Sequence, residues 1–152
     1  MDGRLRENMV FHGALVIIVG LLAGFPFAFL LTGDMQAGPA GMPEALRAWK
    51  MAHLEGILNG LLVLAVAGVG KRLTLSAGRQ KLLSGSLIIM AWANVIASIV
   101  GAASGSRGLA AGGSLANNVV FLLFTAAIIA VFVAMGLVVL GSYRPRAGAG
   151  GR

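Results

Sequence analysis

The chain has 152 residues, of which 58% are hydrophobic and only 11% charged, with a mean hydropathy of +0.90; a soluble domain sits nearer 45–50% apolar and roughly 25% charged. It therefore reads as an all-α integral membrane protein, long enough for one bundle and too short for a second domain. The absence of cysteine excludes a disulfide framework, thiolate zinc sites and thiolate catalysis. The net charge of +7 lies in the gaps between apolar runs rather than on one face, which points to topology and lipid headgroups and away from nucleic acid.

Four segments are long enough to cross a hydrocarbon core of about 30 Å, for which about 20 helical residues suffice. They span 9–32, 49–70, 82–104 and 115–141. Residues 1–8 form a cytoplasmic N-terminal segment, and 142–152, rich in Gly, Ala and Arg, a disordered basic tail. The first apolar run is too long for a signal-peptide core and lacks a small-residue cleavage site after it. The first connection starts a short interfacial helix at Pro43 that leads to Trp49. The second is basic, with Lys71, Arg72, Arg79 and Lys81, and the third is glycine-rich with Arg107. The N-terminal segment, second connection and tail together carry nine Lys and Arg, against three (Arg47, Lys50, Arg107) on the other side. The positive-inside rule then places both termini in the cytoplasm, of a bacterial inner membrane.

Lipid provides no hydrophobic drive for helix association, so small residues should mark the interfaces. Gly20 and Gly24 in the first helix, with Pro26 as a kink, fit that role, as do Gly56 and Gly60 in the second and Ala91, Ala97 and Gly101 in the third. The fourth helix, rich in Val, Ile and Phe, should be the most lipid-exposed.

The second segment opens on Trp49-Lys50-Met51-Ala52-His53-Leu54-Glu55-Gly56-Ile57-Leu58-Asn59-Gly60, and ionisable groups inside a bilayer are functional candidates. At 100° per residue His53, Gly56, Gly60, Leu64 and Ala67 share one stripe, and Glu55 and Asn59 a second about a third of a turn away. An imidazole over bare glycine backbone accommodates either another helix or a planar ligand. Antiparallel second and third helices bring Asn59 level with Asn94 and His53 close to the level of Ser98. Asn117 and Asn118 begin the fourth helix near the same surface, completing a polar layer in the outer half of the membrane. His12, read as an interfacial residue some 25–30 Å away in depth from His53, cannot share a metal with it. An iron held by His53 would thus have a single protein ligand.

Trp49-x-x-x-His53 followed by Asn59-Gly60, with His12-Gly13 opening the first helix, Trp92-x-Asn94 in the third and Arg107-Gly108-Leu109 in the third connection, resembles the styrene oxide isomerase family. The resemblance implies a four-helix homotrimer with haem b between neighbouring subunits. It also implies His53 as the axial iron ligand, and Gly56, Gly60 and Asn94 as part of the cofactor's surroundings. Asn59 would line the substrate site, and Asn59 and Ser98 are the candidate catalytic residues that orient substrate. Ferric iron would act there as a Lewis acid, opening an epoxide so that a hydride shift gives an aldehyde. The match departs where the family's active-site tyrosine is Ser98, where an acidic residue is Met90, and where Leu54-Glu55-Gly56 replaces small residues and a proline. Two further readings are a non-catalytic membrane haem protein (a redox or gas sensor, or a subunit of a larger complex) and a small proton-coupled exporter using Glu55.

Overall fold

A computed structural model describes residues 1–38 and 41–143; the basic tail from 144 onward lies outside them. Among the described residues there are four long helices and no strand: α1 (Gly3–Thr32), α2 (Met42–Val69), α3 (Ala77–Ser104) and α4 (Leu115–Ser142), with a single 3-10 turn, Gly70–Arg72, after α2. Each is long and apolar enough to cross a membrane, so the chain is an integral, multi-pass four-helix bundle.

The helices outrun the apolar segments at one end because helical hydrogen bonds do not depend on hydropathy. α1 starts six residues before the apolar run, at Gly3, where the Asp2 carboxylate accepts from the Arg4 amide at 2.9 Å and satisfies one of the free donors of the first turn. The separate interfacial helix expected from Pro43 is instead about the first two turns of α2. Pro43 suits a helix start and Glu44 the positive end of the helix dipole. Between there and Trp49 stand Ala45, Leu46, Arg47 and Ala48, all strong helix formers, so nothing breaks the helix. His53 therefore lies eleven residues into α2, about 16 Å along its axis.

α3 is the centre of the arrangement: it packs on each of the other three helices, whereas α4 packs chiefly on α3. Half of α3's most apolar stretch is buried, against 22% for both α1 and α4, so the fourth helix is as exposed as the first rather than more so. The core is built from Leu83, Leu87, Met90 and Val95 of α3 against Met9 and Val16 of α1, Val63 and Val66 of α2, and Ala127 and Ala134 of α4. At the end carrying the termini, Thr74 N–H donates to the Gly141 carbonyl and Asp2 N–H to the Gln80 side chain, both at 2.9 Å.

At the opposite end Asn117 organises the third connection. Its Oδ1 accepts from Gly108 N–H at 2.9 Å, and its Nδ2 donates to the Ala110 and Gly112 carbonyls at 2.9 Å each. Asn118 accepts from Gly112 N–H. Gly108 sits at φ 59°, and a Cβ there would overlap Val120, so only glycine closes this loop onto α4. Asn117 and Asn118 thus belong to the loop and not to the polar layer expected from depth alone. Asn117→Ala is expected to lower stability by about 1–3 kcal/mol through three orphaned backbone groups, read as a fall in thermal midpoint in detergent, with no effect on ligand binding near His53.

Candidate functional site

The two stripes on α2 face two different neighbours. The stripe of His53, Gly56 and Gly60 lies against α1. A Cβ on Gly56 would overlap the Gly20 backbone, one on Gly60 would stand 2.5 Å from the Ile17 side chain and 2.6 Å from the Gly13 carbonyl, and one on Gly24 would stand 2.8 Å from His53 Nδ1. Of the two occupants the glycine surface allowed, it is helix α1 that fills it. The expectation that Gly56 and Gly60 form a cofactor floor is corrected accordingly: both are buried under α1 and have no face left for a ligand.

His53 is held by that packing. Its Nδ1 lies 2.9 Å from the Gly20 carbonyl of α1. A carbonyl only accepts, so Nδ1 carries the proton, and in the neutral ring Nε2 is left with its lone pair. Histidines that bind metals are oriented in this way, with the far nitrogen's N–H on a carbonyl or carboxylate. Among the described residues no three of His, Cys, Asp and Glu gather. The donor set thus suits a group that brings its own equatorial donors and takes one axial nitrogen, as haem does, and does not suit a bare ion.

The second stripe faces α3. Asn94 Nδ2 donates to Asn59 Oδ1 at 3.4 Å, and one turn away the Ser98 hydroxyl donates to the Glu55 carboxylate in a short contact. Asn59 is therefore level with Asn94, as antiparallel helices require, and the partner of Ser98 is Glu55. Sequence reasoning left Glu55 unplaced, although the signal was present. Glu55 and Asn59 stand four apart on α2, Asn94 and Ser98 four apart on α3, and antiparallel helices pair the first of one with the last of the other.

His12 is a second correction. It accepts from Trp92 Nε1 at 3.1 Å through its Nδ1, joining α1 to α3 inside the bundle instead of meeting headgroups. Gly20 and Gly24, which flank the His53 ring, are eight and twelve residues beyond it on α1, so the two imidazoles are about 12–18 Å apart in depth, roughly half the expected separation. That is still too far for a shared metal.

The site residues thus fall into two groups. His53 looks toward α1, and Asn59, Asn94, Ser98 and Glu55 lie between α2 and α3. A cavity of about 230 Å³ reaches Glu55 and Ser98 and adjoins a larger one of about 620 Å³ at the end opposite the termini.

Comparison with known proteins places the chain in a family. The sequence profile of styrene oxide isomerase matches residues 5–143, which includes all four helices nearly whole. The chain belongs to the styrene oxide isomerase family. The chain is 32% identical over 116 residues to hydroxylaminobenzene mutase HabB of Ectopseudomonas oleovorans, covering 74% of this chain and 63% of that protein. It is 33% identical over 95 residues to styrene-oxide isomerase of Pseudomonas fluorescens, covering 59% of this chain and 56% of that one. The chain thus matches less than two thirds of the length of either relative. At such identities it is a divergent member of the styrene oxide isomerase family, with one relative named for an isomerase and the other for a mutase.

Proposed function

We propose that this chain is a membrane isomerase that holds haem b through His53 and converts a small apolar epoxide to an aldehyde. The observation that carries this reading is the His53 Nδ1 contact with the Gly20 carbonyl, which leaves Nε2 as a single, oriented lone pair; family membership supports isomerase chemistry. Bound there, ferric haem would supply a Lewis acid for the substrate oxygen. The chain's own residues contribute orientation and dryness. With Asn59 Oδ1 engaged by Asn94, the Asn59 NH₂ group, without a partner among the described residues, can donate to a substrate oxygen. The apolar surroundings keep water from trapping a cation-like intermediate as a diol.

His53 and Asn59 are six residues apart and so about 120° apart around α2, and one chain cannot turn both toward one molecule. A homo-oligomer can, with haem held by one copy and the polar residues supplied by the next; the family resemblance supports a trimer. The distribution of Lys and Arg supports termini in the cytoplasm of a bacterial inner membrane.

The test is to purify the protein with haemin and add styrene oxide without reductant. The expected result is a Soret band and stoichiometric aldehyde. A colourless protein after haemin is supplied overturns the reading, and a coloured one inert to epoxides leaves the passive haem protein. A second reading, a mutase acting on an arylhydroxylamine, is favoured by one observation, the ionisable Glu55 beside Ser98 with a cavity leading to it. Neither relative is named as a transporter, which leaves the exporter without support.

A further inference from the structure

The rung formed by Glu55 and Ser98 differs from its neighbour. Asn59 and Asn94 already join α2 to α3 with neutral groups, so a second clamp does not need an ionisable one. A carboxyl group in a membrane-spanning helix is costly, which makes it a candidate for function. The rung is also reached by space. The cavity of about 230 Å³ is lined by Glu55 and Ser98 together with the apolar Met51, Leu109 and Phe124. It shares Arg47, Ala48, Gly101, Ala102, Ser106 and Arg107 with the larger cavity of about 620 Å³, so the two adjoin along these residues. Arg47 is engaged by Glu44 at 2.5 Å, while the Arg107 side chain has no hydrogen-bond or ion-pair partner among the described residues.

We propose that Glu55 is a catalytic residue that carries a proton between two atoms of a substrate entering between Arg47 and Arg107, and that this substrate is an arylhydroxylamine. The inference rests on the mutase reading above and adds to it the residue that moves the proton. An epoxide offers a carboxylate only lone pairs and no N–H or O–H, and its opening with a hydride shift transfers no proton. An arylhydroxylamine offers both N–H and O–H to Glu55 and an aromatic ring to Met51, Leu109 and Phe124. In its rearrangement to an aminophenol the N–O bond breaks, oxygen leaving with the bonding pair. A C–O bond then forms at the adjacent ring carbon through an oxygen pair. The ring carbon's C–H electrons return through the ring to nitrogen, and its proton passes to Glu55 and on to nitrogen. Carbon is oxidised and nitrogen reduced by the same two electrons, so no outside oxidant or reductant is needed. Ser98 is a positioning residue, since its hydroxyl holds one carboxylate oxygen and leaves the other free of that bond.

The experiment uses the full-length, haem-supplied protein in detergent with two probes, phenylhydroxylamine and styrene oxide. Glu55→Gln keeps an acceptor for Ser98 but cannot carry the proton. It is expected to retain the Soret band and to lose turnover of phenylhydroxylamine by about a hundredfold or more, with Glu55→Asp restoring part of it. Ala102→Phe, which fills space where the two cavities adjoin and leaves Glu55 intact, is expected to raise KM for phenylhydroxylamine by about tenfold, keeping the proposal testable should Glu55→Gln fail to fold. Wild-type-like kcat and KM in Glu55→Gln, or wild-type-like KM in Ala102→Phe, overturns the inference while leaving the isomerase reading in place. A wild-type protein that turns over styrene oxide and not phenylhydroxylamine overturns it too. Turnover of neither probe by the coloured wild type defeats the isomerase reading itself, and this inference with it.

Discussion

His53→Ala is expected to give a folded protein that stays colourless when haemin is supplied, with isomerisation reduced on the order of a thousandfold or more, because a Lewis acid contributes several kcal/mol to such a step. Folding should survive. Alanine is the best helix former, the imidazole is only partly buried, and its loss frees a single carbonyl, that of Gly20. The thermal midpoint of the apo-protein should therefore move little, which separates loss of a ligand from loss of structure. Free imidazole added to the variant should restore part of the Soret band, since the space between Gly24 and α2 once held that ring. If His53→Ala keeps its colour, the axial ligand lies elsewhere. His12 is the one other histidine in the chain, but its Nδ1 accepts from Trp92, which puts the proton of the neutral ring on Nε2 and leaves no free lone pair for iron; a double variant is decisive.

What could be read in advance depended on whether the signal was periodic. The four spans were legible because hydrocarbon thickness sets a minimum apolar length, and every C-terminal helix boundary fell within a residue of its expected place. The N-terminal extensions of α1, α2 and α3 were not, because Asp2, Pro43 and Ser76 start helices in polar sequence where hydropathy is silent. The two stripes on α2 were legible as angles, and the match of Asn59 with Asn94 followed from counting along antiparallel helices. Which neighbour covers each stripe was not, since bare glycine receives a helix or a planar ligand equally well. That choice is decided by the matching Gly13, Gly20 and Gly24 on α1, a pattern visible in the sequence but assignable only once α1 and α2 are known to be partners. Asn117 was misplaced for a related reason: depth ranks residues along the membrane normal and says nothing of a loop folding back over a helix start.

The close approach of α1 and α2 makes Gly56 the position least able to accept a side chain. Its Cβ would overlap the Gly20 Cα, backbone against backbone, where no rotamer change gives relief. Gly56→Leu must therefore push the two helices apart, at an expected cost above the usual 1–3 kcal/mol of overpacking, on the order of 4 kcal/mol. The same displacement carries the Gly20 carbonyl away from His53 Nδ1. Since losing such an outer partner typically weakens metal affinity by about 10–100-fold, haem should be lost at concentrations that saturate the wild type. Gly68→Leu is the control within the same helix: a side chain there meets nothing within 4 Å, and replacing glycine by leucine in a helix is worth roughly 0.5–1 kcal/mol in its favour. Thermal unfolding and haem titration of the pair measure the argument directly. A midpoint and affinity for Gly56→Leu equal to those of Gly68→Leu would mean that the helices do not meet at this glycine, and the carbonyl that orients His53 would have to be sought on another element.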